Sequence, residues 1–471
     1  MPTPETFADF HRRSLADRDG FWSEQAALID WHAPFTQVCD ASRPPFTRWF
    51  VGGRTNLCHN AVDRHAAARP GDRALIWVST EVGQERVYSF AELLSEVQRT
   101  AAMLQEMGVK AGDRVLVYMP MIPEAVFTML ACARIGAIHS VVFGGFASHS
   151  LASRIEDAEP VVVVSADAGS RGGKVVPYKP LLDEALRLSR HKPARVLMVD
   201  RGLVPYERTA GRDEDYAALR ERHLAAQVPC AWLDSTHPSY TLYTSGTTGR
   251  PKGVQRDTGG YAVALAASMK HIFMGRPGET YFSTSDIGWV VGHSYIVYAP
   301  LLIGCTTLVY EGAIDHPDPG TLWRLVEDFQ VTGIFTSPTA VRLLMRYGES
   351  FQAQYDHKSL TRVFCAGEVL NAPAWEWLQH KVFKDRIPVI DHMWQTETGG
   401  PIFGNPYGLG MLPTKPGSAG IPLAGIDCEI VTADGHPCPP GAEGIMAIKR
   451  PFPGLIQSLW GEPERYVADY W

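Results

Sequence analysis

Apolar residues recur at helical spacing through SFAELLSEVQRTAAMLQEMG (89–108), where Leu93, Leu94, Val97, Ala101 and Leu104 share one face and Gly108 supplies a C-terminal stop. The spacing predicts a helix there, followed by a strand over 115–119 and a second helix over 124–135 ending at Gly136. The strand IHSVVF, another helix and the run VVVVS (161–165) come next. A run apolar at every position suits a strand covered on both faces, as in a parallel sheet.

The alternation restarts after Trp232, with YTLYTS, a helix around 261–269, an apolar stretch at 295–303, TTLVYE, a helix around 321–329 and TGIFTS. Strand alternating with helix implies layered α/β architecture. The expected fold is two tandem layered α/β subdomains, 46–232 and 233–412, and a small β-barrel-like subdomain over 413–471, where short β pieces (DCEIVT, GIMAIK) are broken by Gly and Pro. Residues 1–45, rich in Phe, Trp, His and Pro without sustained periodicity, read as an arm laid over the body. The final GEPERYVADYW reads as stopping in mid-pattern, without a terminal helix.

With 45% hydrophobic and 20% charged residues the composition is that of an ordinary globular protein. A net charge of -7 argues against nucleic acid or an anionic membrane as the main partner, because both select a basic surface. Any phosphate binding must therefore be local. The eight cysteines are scattered with no CxxC pair, which suits reduced thiols, and the acidic N-terminus lacks a signal-peptide pattern. A cytoplasmic location is expected.

The strongest local signal is YTSGTTGRPKGV (243–254), directly after an apolar strand. Gly246 and Gly249 allow backbone N–H groups close to phosphate oxygens, Thr244, Ser245, Thr247 and Thr248 add donors, and Lys252 adds a point charge. It is not a Walker A loop, since Pro251 precedes the lysine and Gly253 follows it. Taken alone, a Ser/Thr/Gly-rich turn with an exposed lysine is the plainer reading.

The loop resembles the signature of the adenylate-forming (AMP-binding) superfamily, and DHMWQTETGG (391–400) resembles that family's second nucleotide motif. The resemblance implies ATP and Mg²⁺ as cofactors and CoA as co-substrate. It implies catalytic roles for Thr244, Lys252, Thr396 and Glu397, with Glu397 as Mg²⁺ ligand and Thr396 at the α-phosphate. Asp391, His392, Met393, Trp394 and Gln395 would line the adenine and acyl side. The segment AGEV (366–369) resembles the adenine-stacking stretch, with Gly367 and Glu368 kept and Val369 in place of proline. SDIGWVVGHSY (285–295) resembles the substrate-proximal motif of the acetyl and propionyl branch. His293 within it is assigned to shape rather than base chemistry, because a carboxylate nucleophile is already ionised at neutral pH.

A pocket for a short acid must be closed by something bulky, since one methylene is worth only about 1–3 kcal/mol. By the resemblance Trp394 is that plug. Val290 and Val291 stand where acetate enzymes carry Val and Thr, and Ala366 where they carry Val, which widens the wall toward propionate; acetate or butyrate remain alternatives. Arg171, Gly172, Gly173 and Lys174 (RGGK) resemble the CoA contact, although a surface Arg/Lys pair is often only solvated. Val291 and Asp315 match further CoA positions but depart from the acetate pattern.

The family's small C-terminal lid domain, with its catalytic lysine, is expected beyond residue 471, so this chain alone is expected to be nearly inactive. The expected activity is formation of acyl-AMP and then acyl-CoA, as in the short-chain acyl-CoA synthetases, closest to the propionyl branch. A carrier-protein or luciferase-like adenylate former and a non-catalytic nucleotide-binding fragment are the rivals.

Overall fold

The computed structural model describes residues 5–244 and 250–471. Its organising feature is the burial of two sheets on both faces. In the strand Arg114–Tyr118, Val115 and Val117 enter a central core while Leu116 and Tyr118 enter an outer one. In the strand Arg73–Ser79, Leu75 and Trp77 face the same central core, and Ile76 and Val78 face another outer one. This two-residue period, apolar on both sides, builds helix, sheet, helix, sheet and helix layers.

Among the described residues the first sheet has eight strands, in the order Asp213–Asp215, Arg195–Val199, Val162–Ala166, Arg114–Tyr118, Ile138–Val141, Pro238–Thr244, Lys252–Asp257 and Ser458–Leu459. The last two strands pair antiparallel and the others parallel. The second sheet has seven strands, Val389–Asp391, Arg362–Cys365, Val331–Thr336, Thr280–Ser283, Thr306–Glu311, Arg73–Ser79 and Gln84–Ser89, with only the last antiparallel.

Between the sheets lie the helices Phe90–Glu106, Pro123–Ile135 and Gly259–His271. The first opens with a capping box, Ser89 with Glu92, and the second ends at Gly136 in the left-handed conformation. Pro123–Ile135 is buried nearly all round, so its sequence shows little amphipathic stripe.

Several expectations change. The divide expected at 232/233 is crossed in both directions: Arg73–Ser79 and Gln84–Ser89 belong to the second sheet, whereas Pro238–Thr244 and Lys252–Asp257 belong to the first. Local periodicity specifies a strand but not its partner, and Arg73–Ser79 finds Thr306–Glu311 more than two hundred residues away in sequence.

The arm over 1–45 carries two helices, Phe7–Ala16 and Arg18–Ala26. They pack on the body through Phe10, Phe21 and Trp22, and Gln25 Oε1 lies 2.8 Å from His271 Nε2. The apolar stretch at 295–303 is helical, within His293–Tyr298 and Ala299–Leu302. Over 413–471, Cys428–Val431 and Ile445–Ile448 form an antiparallel pair, but Ser458–Leu459 extends the first large sheet. The chain's last segment is a helix, Pro463–Tyr470, initiated by a proline at its first turn.

The two sheets are tied by a buried ion pair. Arg201, just past the strand Arg195–Val199, donates through both Nη atoms to Glu311 at 2.7 Å each. Arg201→Ala strands the Glu311 carboxylate and is expected to lower unfolding free energy by about 3–5 kcal/mol. Glu311→Gln, which keeps one acceptor, costs less. Urea titrations of the two variants check the ranking.

Candidate active site

The site assembles where strands of both sheets end. Thr244, Ser283, Thr336, Cys365 and Asp391 are the last residues of their strands. The segments that follow Ser283, Thr336, Cys365 and Asp391 line a cavity of about 410 Å³, whose walls include Ser285, Trp289, Val290, Val291, Phe335, Ala366, Gly367, Trp394, Gln395 and Thr396. Buried parallel strands leave chemistry only at their carboxyl ends, which is where this cavity lies.

Trp394 forms the bulky wall. Its ring lies nearly parallel to Phe335, with centroids 6.0 Å apart and 20° between planes, and meets Tyr295 edge-on at 5.5 Å. Its buried indole N–H finds no partner among the described residues. Ala366 and Val290 complete the apolar side. Gly367 adopts φ 109°, a conformation closed to side-chained residues, which carries the chain from Cys365 round the cavity rim.

A second cavity of about 370 Å³ shares Thr284, Ser285 and Trp289 with the first, so the two adjoin. Its outer wall includes Ser170 and Arg171 from the hairpin Ala168–Arg171 and Lys174–Pro177. Gly172 and Gly173 make the hairpin turn at φ 60° and 75°. Their N–H groups donate to Glu81 at 2.6 and 2.9 Å, and Ser170 Oγ donates to the same carboxylate at 2.8 Å. Burial pushes the Glu81 carboxyl up, but donation from Gly173, Ser170 and Gly172 outweighs it and the group titrates below its ordinary value. The turn is thus held by an acid that the sequence reading did not anticipate.

Other expected residues sit differently. Asp391 and His392 are buried beneath the cavity rather than lining it. Asp391 accepts from the N–H groups of Leu370 and His392 at 3.1 and 3.0 Å, and burial raises its carboxyl to about 6. His392 stacks on Phe364 at 5.4 Å, and burial lowers its imidazole to about 3. Met393 makes a backbone bridge to Phe403. Glu368 is engaged by Thr339 Oγ1 and by Arg342 at 2.7 Å, while Val369 is largely exposed. Asp315 accepts from Tyr347 at 3.0 Å and lines neither cavity, and Val291 lines the first cavity, not the second.

His293 is fully buried, with Nδ1 3.1 Å from the Trp289 carbonyl and its ring 4.6 Å from Tyr240. Burial lowers it to about 4, so it is neutral and stays behind the wall. Phe335, Ser337 and Trp289 are cavity residues that the sequence reading did not single out, although the polar end of TGIFTS just past a buried strand was the available signal.

Ser245, Gly246, Thr247, Thr248 and Gly249 lie outside the described residues. The loop's flanks are described: Thr244 pairs with Lys252 across adjacent antiparallel strands. Lys252 Nζ lies 2.9 Å from Asp469 and 4.6 Å from the centre of the Tyr470 ring. Tyr470 in turn donates to Glu397 Oε1 at 2.5 Å. The helix Pro463–Tyr470 therefore occupies the tips of Lys252 and Glu397 at once. Glu397 sits in the short helical turn Thr396–Thr398, and a carboxylate beside the cavity is the oxygen donor a hard divalent cation takes.

Two α/β layers with two adjoining cavities at their strand ends make this an acyl-CoA synthetase-type fold. The chain belongs to the AMP-binding enzyme family, which matches residues 62–460, and residues 7–61 match the acetyl-coenzyme A synthetase N-terminus. It is 53% identical to the propionate–CoA ligase of Escherichia coli (strain K12), over 99% of this chain and 74% of that protein. It is 42% identical to the acetyl-coenzyme A synthetase of Pyrobaculum arsenaticum, over 99% of this chain and 71% of that one. The solved acetoacetyl-CoA synthetase from Streptomyces lividans superposes with a TM-score of 0.91 at 26% identity, covering all of this chain and 72% of that one. Among the described residues no helix is long and apolar enough to cross a membrane.

The raised carboxyl of Asp391 has a definite sign. The unfolded chain loses this proton in the ordinary carboxylate range while the folded chain keeps it to about 6. Its contribution to stability is therefore full below pH 4 and lost as pH rises through 6. Asp391→Asn should gain stability relative to the parent between pH 4 and 7, measured by denaturant midpoints at each pH. For the terminal helix, Asp469→Asn frees the Lys252 ammonium. Affinity for inorganic pyrophosphate, read by calorimetry, should rise about two- to fivefold, as a partly exposed ion pair is worth up to about 1 kcal/mol.

Proposed function

We propose that this chain binds ATP and a short-chain carboxylic acid, propionate by preference, joins them as acyl-AMP with release of pyrophosphate, and passes the acyl group to CoA. The observation that carries this reading is the apolar chamber closed by Trp394 and Phe335, adjoining a second chamber at the Arg171 hairpin with Trp289 in the walls of both. One chamber suits a small acid and the other a long thiol-bearing arm.

In the first step an oxygen of the acid's carboxylate bonds to the α-phosphorus and the bond from that phosphorus to the pyrophosphate oxygen breaks. No base is required, which agrees with a neutral, buried His293. Lys252, Thr244 and the loop between them would receive the phosphates, and Thr396 would donate to the α-phosphate. To hold phosphates and a metal, Lys252 and Glu397 would have to release their present partners, Asp469 and Tyr470. Mg²⁺, when bound at Glu397, would supply neutralisation of phosphate charge. Gly367 and its neighbours suit the adenine edge.

In the second step the CoA sulfur bonds to the acyl carbon, the bond from that carbon to the AMP oxygen breaks, and the thiol proton leaves to solvent. Arg171 and Lys174 would meet the nucleotide phosphates of CoA at the outer chamber. Trp289, at the junction of both chambers, would direct the thiol arm.

Preference for propionate over acetate rests on Ala366, where a valine would add two methyl groups to the wall beside Trp394. Sulfamoyl analogues of acetyl-, propionyl- and butyryl-adenylate, titrated calorimetrically into the chain, test this. The propionyl analogue is expected to bind best. Ala366→Val should cut its advantage over the acetyl analogue at least about fivefold, the value of one methylene, and Trp394→Gly should admit the butyryl analogue. An unchanged propionyl-to-acetyl affinity ratio in Ala366→Val would falsify the pocket assignment.

A further inference from the structure

Arg256 is a charged side chain with no exposed surface, in the strand Lys252–Asp257. A guanidinium is almost never fully buried unless something fixed requires it. Among the described residues it forms no ion pair. Instead Nη1 donates to the carbonyl of Glu397 at 3.0 Å and to that of Gly454, Nη2 donates to the carbonyl of Thr396, and Nε donates to Tyr240 Oη at 3.3 Å. The cation also lies 5.9 and 5.6 Å from the ring centres of Tyr240 and Tyr261.

The carbonyls it gathers belong to two segments distant in sequence, the turn Thr396–Thr398 and the loop at Gly454. The Glu397 carbonyl accepts in addition from the Ile456 N–H at 2.8 Å, and Ser294 Oγ donates to the Gly399 carbonyl at 2.6 Å. The turn bearing Glu397 is therefore held by its backbone, from beneath, with its side chain left for other partners. The planar guanidinium holds these three carbonyls and the Tyr240 hydroxyl in fixed directions through separate nitrogens, whereas a lysine ammonium is a compact charge on a flexible stem.

The strand adds a second constraint. Lys252 and Arg256 are four residues apart and so point to the same face. One extended segment thus carries the loop lysine at its start and, about 13 Å on, the clamp on the Glu397 turn. The separation between the cation that meets phosphates and the carboxylate that meets the metal is set by a rigid strand, not by a loop.

We propose that Arg256 is a positioning residue for the metal-dependent step: its buried guanidinium fixes the Thr396–Glu397 backbone so that the Glu397 carboxylate stands in register with Lys252. This rests on the reading of Glu397 as the Mg²⁺ ligand given above. Arg256 touches neither substrate nor metal, and its effect is confined to ligands whose binding uses both.

The test separates metal-linked binding from the fold. Affinity for the ATP analogue AMPPNP is measured calorimetrically with Mg²⁺ and again in EDTA, for the parent, Arg256→Lys, Arg256→Gln and Glu397→Gln. The ratio of the two affinities is the coupling between metal and nucleotide. The propionyl sulfamoyl adenylate analogue, which carries no polyphosphate, serves as the metal-independent control. Arg256→Lys is expected to reduce the ratio about tenfold or more, the usual effect of removing an outer-shell partner, with the control affinity retained. Glu397→Gln should do at least as much.

If Glu397→Gln abolishes the coupling while both Arg256 variants keep it, the positioning role is wrong and the metal reading stands. If Glu397→Gln leaves the coupling intact, the metal reading fails, and the role of Arg256 with it. If both Arg256 variants melt below the assay temperature or lose both ligands together, the residue is a folding element only and the proposal is overturned.

Discussion

Strands covered on both faces by apolar layers have no room for chemistry along their length, because every side chain is spent on packing and every interior backbone group on the ladder. In this chain Val115 and Val117 pack inward and Leu116 and Tyr118 outward, and the same division runs through Leu75 to Val78. What remains free is the strand end. Ser283, Thr336, Cys365 and Asp391 each terminate a strand, and residues after them wall the chambers. The site exists because the sheets are buried.

The same constraint explains how polar groups are handled there. Asp391 and His392 continue directly from a buried strand, so they belong to the core and their charged forms are penalised by burial. Two residues on, Trp394 and Gln395 reach the cavity. Arg256 is the extreme case, a full positive charge compensated by backbone carbonyls and aromatic faces. The hairpin at Gly172 and Gly173 follows another logic, being outside the layers and organised by the carboxylate of Glu81.

The placement of several motif residues at the cavity was legible because motifs are local. Gly367 in a conformation that needs glycine, Trp394 beside Ala366 as a bulky wall, and Glu397 on a polar turn are short-range matters of residue type and spacing. Regular elements were legible for the same reason, as in the helix Phe90–Glu106 with its capping box. Periodicity failed where burial is uniform: His293–Tyr298 and Ala299–Leu302 are buried all round, and a buried helix and a buried strand then look alike. The terminal helix Pro463–Tyr470 was missed because its contacts, Tyr470 with Glu397 and Asp469 with Lys252, lie across the site rather than along the chain.

By itself, then, the sequence determined the layered α/β class and, through motif resemblance, residues such as Trp394 and Ala366 that face the first chamber. Local propensity suffices for the class, and a short motif suffices for the residues. Only the tertiary structure decided which strands share a sheet, with Arg73–Ser79 exchanged for Pro238–Thr244 and Lys252–Asp257 across the expected divide. It also decided that Asp391 and His392 lie beneath the cavity, that Glu81 claims the glycine turn, and that Arg256 holds the Glu397 turn. Each of these depends on which distant surface fills a given space, and that is fixed by packing and hydrogen-bond satisfaction over the whole body, not by neighbours along the chain.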